Sequence, residues 1–171
     1  MAKKRIDLRS TLYKRYVKEL AEDGMRAIEE AIRTNTFINQ SGNLQDSYAS
    51  AVYYDGYMIE GTMNYYEPQT ATEGKKYGNK ILHGREEARR YLLNYRPRTK
   101  GLSLILIAAM PYEKVLEQGY FEVKGKRINL TKKYKVITGA NAFMRQLAQK
   151  WAGKFGRKAK GIRVNVNPIT Q

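Results

Sequence analysis

Nine residues near the middle of the chain constrain the fold most. Leu102-Ser-Leu-Ile-Leu-Ile-Ala-Ala-Met110 is rich in branched apolar side chains and is bounded by Gly101 and Pro111. Such a run with turn residues at both ends reads as a buried strand, and it is taken as the central strand of a sheet. It is far shorter than the roughly 20 apolar residues a membrane helix needs. No longer apolar run occurs in the chain, so no bilayer-spanning segment is expected. Met1 to Ser10 is basic, but charges recur at Lys14, Arg15 and Lys18 where a secretion signal would require an apolar stretch, so no such signal is expected either.

The flanking segments supply partners for that strand. Leu12, Tyr13, Tyr16, Val17, Leu20, Ala21, Ile28, Ala31 and Ile32 recur at three- and four-residue spacings, one face of an amphipathic helix over residues 8–34. Gly24 interrupts it, marking a kink or a close contact. Ser47 to Met63 is Tyr-rich around Asp55-Gly56, a pair suited to a tight turn in which both residues need φ > 0, so two antiparallel strands are predicted. Residues 64–82 show little periodicity and read as a long loop. Gly84 to Tyr95 reads as a short helix ended before Pro97, with a Glu86–Arg90 pair allowed by spacing. Pro111 to Gly119 predicts one or two helical turns. Ala140, Phe143, Met144, Leu147, Ala148 and Trp151 mark a second long helix with Thr138 or Asn141 at its N-cap, and Gly161 to Asn167 alternates as a terminal strand does. The expected fold is a single α+β domain over residues 1–171. It has a mostly antiparallel sheet of about four strands with the helices on one face, an insertion at 64–100 and a basic C-terminal extension at 152–171.

Charge is distributed unevenly along this pattern. The formal net charge is +16, yet residues 1–122 hold 19 Lys and Arg against all 16 acids, so the excess belongs to the last third. From Val123 onward there are 13 bases and no acid. Lys132, Lys133, Lys154, Arg157, Lys158, Lys160 and Arg163 are therefore candidates for contact with DNA or an acidic partner, the plainer alternative being a solvated basic face.

Enzyme chemistry finds little support in the residues. There is no Cys and one His, His83, which reads as a surface or capping residue rather than a metal ligand. Glu122-Val123-Lys124 has a Glu-x-Lys spacing known from nucleases, with Asp55 as a conceivable partner, but a three-residue match is weak and an exposed strand edge explains it as well. Gly153-Lys-Phe-Gly156-Arg-Lys-Ala-Lys160 follows a helix and so lacks the strand-to-helix setting of a phosphate loop. No catalytic residue, metal or cofactor is expected.

Two local patterns carry a family resemblance. Ser41-Gly42-Asn43-Leu44-Gln45-Asp46-Ser47, placed between a long N-terminal helix and a Tyr-rich hairpin, resembles the Thr-Gly-Asn-Leu-(basic)-x-Ser signature of bacteriophage tail-completion and head-tail joining (neck) proteins. Pro111-Tyr112-Glu113-Lys114-Val115-Leu116-Glu117-Gln118-Gly119 is similar to that family's Pro-Tyr-Ala-x-(aliphatic/aromatic)-x-Glu-x-Gly segment. Ser41 stands where Thr is usual, Gln45 where a basic residue is common, and Lys135 to Ala140 replaces the family's Arg-Pro-Phe. The resemblance implies a non-enzymatic virion protein, made in the host cytoplasm, that forms a six- or twelve-fold ring between portal and tail around the DNA conduit. It makes Gly42, Asn43, Leu44, Pro111, Tyr112 and Gly119 structural motif residues, and Tyr65, Tyr66, Tyr77 and Glu117 candidates for contact between subunits, together with exposed Tyr53, Tyr54 and Tyr57. The alternative from charge alone is a sequence-independent nucleic-acid-binding protein.

Overall fold

The computed structural model describes residues 11–34, 42–67, 74–130, 141–155 and 164–170. Helix α1 (Thr11–Arg33) buries Tyr13, Leu20, Ala27, Ile28 and Ala31, the stripe its periodicity predicts. It ends at Thr34, whose hydroxyl donates to the Glu30 carbonyl at 2.8 Å. A single helical turn, α2 (Asn43–Asp46), then leads into β1 (Tyr48–Tyr54) and β2 (Tyr57–Met58). Asp55 (φ 47°) and Gly56 (φ 86°) form the tight turn between those strands, as the Asp-Gly pair requires.

The next strand, β3 (Asn64–Tyr65), returns to pair with the other end of β1, and Thr62 fills the gap between β2 and β3. Its hydroxyl accepts the Val52 N–H at 3.1 Å and donates to the Ile59 carbonyl at 2.6 Å, so β1 keeps its edge hydrogen bonding where no strand runs beside it. The hairpin β4 (Lys75–Tyr77) and β5 (Lys80–Leu82) follows, then α3 (Gly84–Asn94) and β6 (Leu102–Ala108). Beyond lie α4 (Glu113–Gln118), a second free hairpin of β7 (Tyr120–Val123) and β8 (Lys126–Asn129), α5 (Asn141–Phe155) and β9 (Val164–Thr170).

The five-stranded sheet runs β2-β1-β6-β9, with β3 also on β1. All pairings are antiparallel except β6 with β9, so the expected α+β fold with a mostly antiparallel sheet is observed, and β6 lies between β1 and β9 as predicted. Every residue of β6 is buried because the sheet is covered on both faces. On one face Val52, Leu102, Leu104 and Leu106 pack with α1 and with Met144, Leu147 and Trp151 of α5. On the other, Ala49, Ala51, Tyr53, Ile105, Ile107 and Ala109 pack with Ala88 and Leu92 of α3. The helices are thus not confined to one face. Small side chains on β1 and at Ala88 give the short helix room to approach, and that cue is invisible to periodicity.

Several boundaries differ from the sequence reading. Residues 64–82 are not a plain loop: they hold β3 and the β4–β5 hairpin, whose two-residue turn is Gly78-Asn79. Residues 64–100 supply Leu82 to one core and Ala88 and Leu92 to the other. The terminal strand starts at Val164, runs through Pro168 and pairs along the whole of β6; Pro is tolerated there because β9 is an edge strand. Arg90 pairs with Glu87, one residue later than the expected Glu86, since three-residue spacing serves as well as four on a helix. Thr138 lies outside the described residues, and Asn141 is the first residue of α5.

Candidate functional site

The motif at Gly42-Asn43-Leu44 is a buried junction. Gly42 takes the left-handed conformation (φ 73°), which lets the chain turn directly into α2. The Asn43 side-chain oxygen accepts the Gly84 N–H at 3.0 Å and so caps α3, while Leu44 packs into the α1 core. His83 holds the N-cap position of α3 but makes no side-chain cap bond; Asn43 supplies that acceptor from a distance. Ser47 ends the motif by donating its hydroxyl to the Leu44 carbonyl at 2.7 Å and accepting the Ala109 N–H at 3.2 Å. The motif therefore joins α2, α3 and the end of β6.

The second motif follows the same end of β6. Pro111 precedes α4 rather than lying in its first turn, and Tyr112 at the N-cap packs against the α1 core. Gly119 ends α4 in the left-handed conformation (φ 77°), and its carbonyl accepts the Leu130 N–H at 2.8 Å, closing the base of the β7–β8 hairpin. Glu117 lies in α4, and its side chain is outside the described residues.

A buried carboxylate ties the two long helices together. Asp23, nearly inaccessible in the middle of α1, accepts the Trp151 indole N–H at 2.8 Å and the Lys150 ammonium at 2.7 and 3.0 Å. Arg26 stands 3.6 Å away. These partners explain how a charge survives at a helix interface. Gly24 beside it lets α1 touch β1: a Cβ there would come 2.5 Å from Ser50 Oγ. Of the two readings of this glycine, close contact is the one observed.

The tyrosines divide between interior and surface. Tyr53 is fully buried, contrary to its reading as exposed, because its hydroxyl reaches the Leu92 carbonyl at the end of α3 at 2.6 Å. Tyr54 is half-buried and packs edge-on against Tyr13. Tyr65 is half-buried beneath the Arg85 guanidinium, and the Tyr66 carbonyl accepts from the same arginine at 2.8 Å, so both are engaged within the fold. Tyr57 and Tyr77 are exposed.

The two free hairpins carry exposed apolar residues that composition alone did not single out. Tyr77 and Ile81 lie on β4–β5. On β7–β8, Phe121 pairs with Ile128 across the strands, and Val123 follows on the same face; all three are exposed. Glu122 and Arg127 occupy the opposite face, where Arg127 stacks 3.8 Å over Tyr120. Lys124 (φ 48°) and Gly125 (φ 76°) form the turn. Alternation around Lys-Gly and around Gly-Asn was the signal for these hairpins. Glu122 and Asp55 sit on different sheets, and among the described residues no three His, Asp or Glu side chains gather as metal ligands.

Of the basic candidates, Lys154 lies in α5 with its side chain outside the described residues, and Lys132, Lys133, Arg157, Lys158, Lys160 and Arg163 lie outside them entirely. No helix among the described residues is long and apolar enough to cross a membrane. Compared with known proteins, the chain matches no family model, no curated protein and no solved structure.

Proposed function

We propose that this protein is a structural subunit of a bacteriophage neck, a head-tail connector or tail-completion protein that assembles as a six- or twelve-fold ring around the DNA conduit and joins portal to tail. The observation that carries the reading is the pair of hairpins standing off the main sheet. An isolated two-stranded hairpin is marginal in water, and Phe121, Val123 and Ile128 together on one face of such a hairpin want a covering surface. A neighbouring subunit in a ring provides one at every position, with the heterologous contact that ring closure requires. The two motifs of the resemblance support the same reading as architecture: one joins α2, α3 and β6, and the other launches the β7–β8 hairpin. In this reading the protein is not an enzyme, Tyr77 and Glu117 add to the contact between subunits, and the basic last third faces DNA or an acidic neighbour.

Native mass spectrometry of the full chain, alone and mixed with the portal protein of the same virus, tests this. Rings or stacked complexes are expected, and Phe121→Ser with Ile128→Ser should abolish them while leaving the circular dichroism spectrum unchanged. A monomer that ignores the portal yet binds duplex DNA with a steep salt slope would overturn the reading in favour of a nucleic-acid-binding protein.

A further inference from the structure

The segment joining α3 to β6 is a charged strap. Between Glu87 and Glu113 the chain has five bases, Arg89, Arg90, Arg96, Arg98 and Lys100, and no acid, a local excess hidden in the near-balance of residues 1–122. Tyr95 leaves α3 in an extended conformation (φ −69°, ψ 140°). From there exposure alternates, with Arg96, Arg98 and Lys100 exposed, Pro97 buried and Thr99 half-buried. Arg96 and Arg98 thus share the outer side of the stretch, and Lys100 completes the row at the bend that leads into β6, beside Arg98 on one concavity.

The row is fixed in place by its own backbone. Asp55 donates its N–H to the Gly101 carbonyl at 3.1 Å and accepts the Gly101 N–H on its carboxylate at 2.7 Å. Thr99 and Ser103 share a hydroxyl hydrogen bond of 2.7 Å, and the Arg96 guanidinium donates to the carbonyls of Leu93 and Tyr95, both at 2.8 Å. Asp55 lines the same concavity as Arg98 and Lys100, with one carboxylate oxygen held by the Gly101 N–H, and Glu87 pairs with Arg90. Among the described residues, neither Arg98 nor Lys100 has a carboxylate partner.

Aromatic rings adjoin the row. Tyr57 is 69% exposed with Arg96 5.7 Å from its ring centre. Tyr91 and Tyr95 stack at 5.4 Å and, with Arg90, Asn94 and Arg96, line a concavity of about 480 Å³. A second concavity of about 420 Å³ runs along Asp55, Pro97, Arg98, Thr99 and Lys100.

We propose that this surface binds a single nucleic-acid strand, with its phosphates on Arg96, Arg98 and Lys100 and its bases against Tyr57 and in the concavity walled by Tyr91 and Tyr95. An acidic protein surface would use the cations alone. A duplex offers phosphates but keeps its bases stacked inside, whereas a fixed row of cations beside one exposed ring, Tyr57, and a concavity edged by the half-buried Tyr91 and Tyr95 suits unstacked bases. The site stands apart from the basic last third and does not rest on the neck reading.

Fluorescence anisotropy of the full chain with a labelled oligothymidylate, and with a labelled duplex of equal length, across a salt series is the test. Arg98→Glu with Lys100→Glu should weaken single-strand binding at least tenfold and lower the salt slope by more than one, as expected for two lost phosphate contacts. Tyr57→Ala should weaken single-strand binding roughly 5- to 100-fold and leave both the slope and duplex binding unchanged. Lys14→Glu with Lys18→Glu, the same charge change on exposed α1 positions, should have less than a twofold effect. Equal losses in the two charge-reversal pairs would reduce the effect to net charge and overturn the proposal. It would also be overturned by unchanged binding in the strap variant, which would leave the row to an acidic protein, or by duplex binding as tight as single-strand binding with Tyr57 silent. Arg98→Gln with Lys100→Gln, milder at the same positions, decides the matter should the charge reversal disturb folding.

Discussion

The side-chain oxygen of Asn43 accepts the backbone N–H of Gly84 at 3.0 Å, so the cap of α3 comes from a residue 41 positions earlier in the chain. The two backbones are packed closely enough that a Cβ on Gly84 would sit 2.0 Å from the Asn43 carbonyl oxygen. Asn43→Ala should therefore destabilise the protein by about 1–2 kcal/mol, the usual loss of a cap. Gly84→Ala should cost more, since the obstacle is backbone that cannot rotate away. Urea denaturation of the two variants checks the order; Gly84→Ala proving the milder would refute the arrangement.

Asp23 is the second long-range link. Asp23→Ala leaves the Trp151 indole N–H without its acceptor and the Lys150 ammonium without its partner. Lys150 is 44% exposed and regains water, so the loss is about 2–3 kcal/mol rather than the larger cost of a stranded buried charge. The chain has one Trp, so its fluorescence reports on the site directly. The emission of folded Asp23→Ala should shift, while Glu22→Ala, on the exposed face of α1, should leave it unchanged.

Gly24 and Ser50 form a testable pair. Gly24→Ala gains helix propensity of about 1 kcal/mol but drives a methyl against Ser50 Oγ, so a net destabilisation is expected. Ser50 Oγ is buried and has no hydrogen-bond partner among the described residues. Ser50→Ala should thus be neutral or stabilising and should recover part of the Gly24→Ala loss. A double-mutant cycle with no coupling would show that the two do not meet.

Burial pushes the phenols of Tyr13 and Tyr53 above the ordinary tyrosine value. The folded state then holds their protons more tightly than the unfolded chain. Below about pH 10 both states keep the protons and stability is unaffected; above it the unfolded chain ionises first, so stability falls as pH rises. Denaturant midpoints measured from pH 8 to 11.5 should be flat and then decline. Tyr53→Phe should soften the decline and cost about 1 kcal/mol at neutral pH through the lost bond to Leu92. A curve that stays flat to pH 11.5 would contradict the burial of both rings.

What the sequence determined by itself is local. The stripe of α1, the Asp55-Gly56 turn, the apolar run of β6 and the helical spacing of α3 and α5 follow from side-chain period and turn chemistry, which act over a few residues. The Gly42-Asn43-Leu44 motif was likewise legible as a special turn, but its partner was not: nothing near residue 43 signals that its side chain ends on Gly84. The same holds for Asp23 with Trp151, for α3 covering the second face of the sheet, and for β9 lying parallel to β6. It holds too for the row of Arg96, Arg98 and Lys100, a plain basic stretch until Pro97 and Thr99 turn inward. These arrangements depend on which elements share an interface, and packing of distant segments leaves no period in the chain, so the tertiary structure alone decided them.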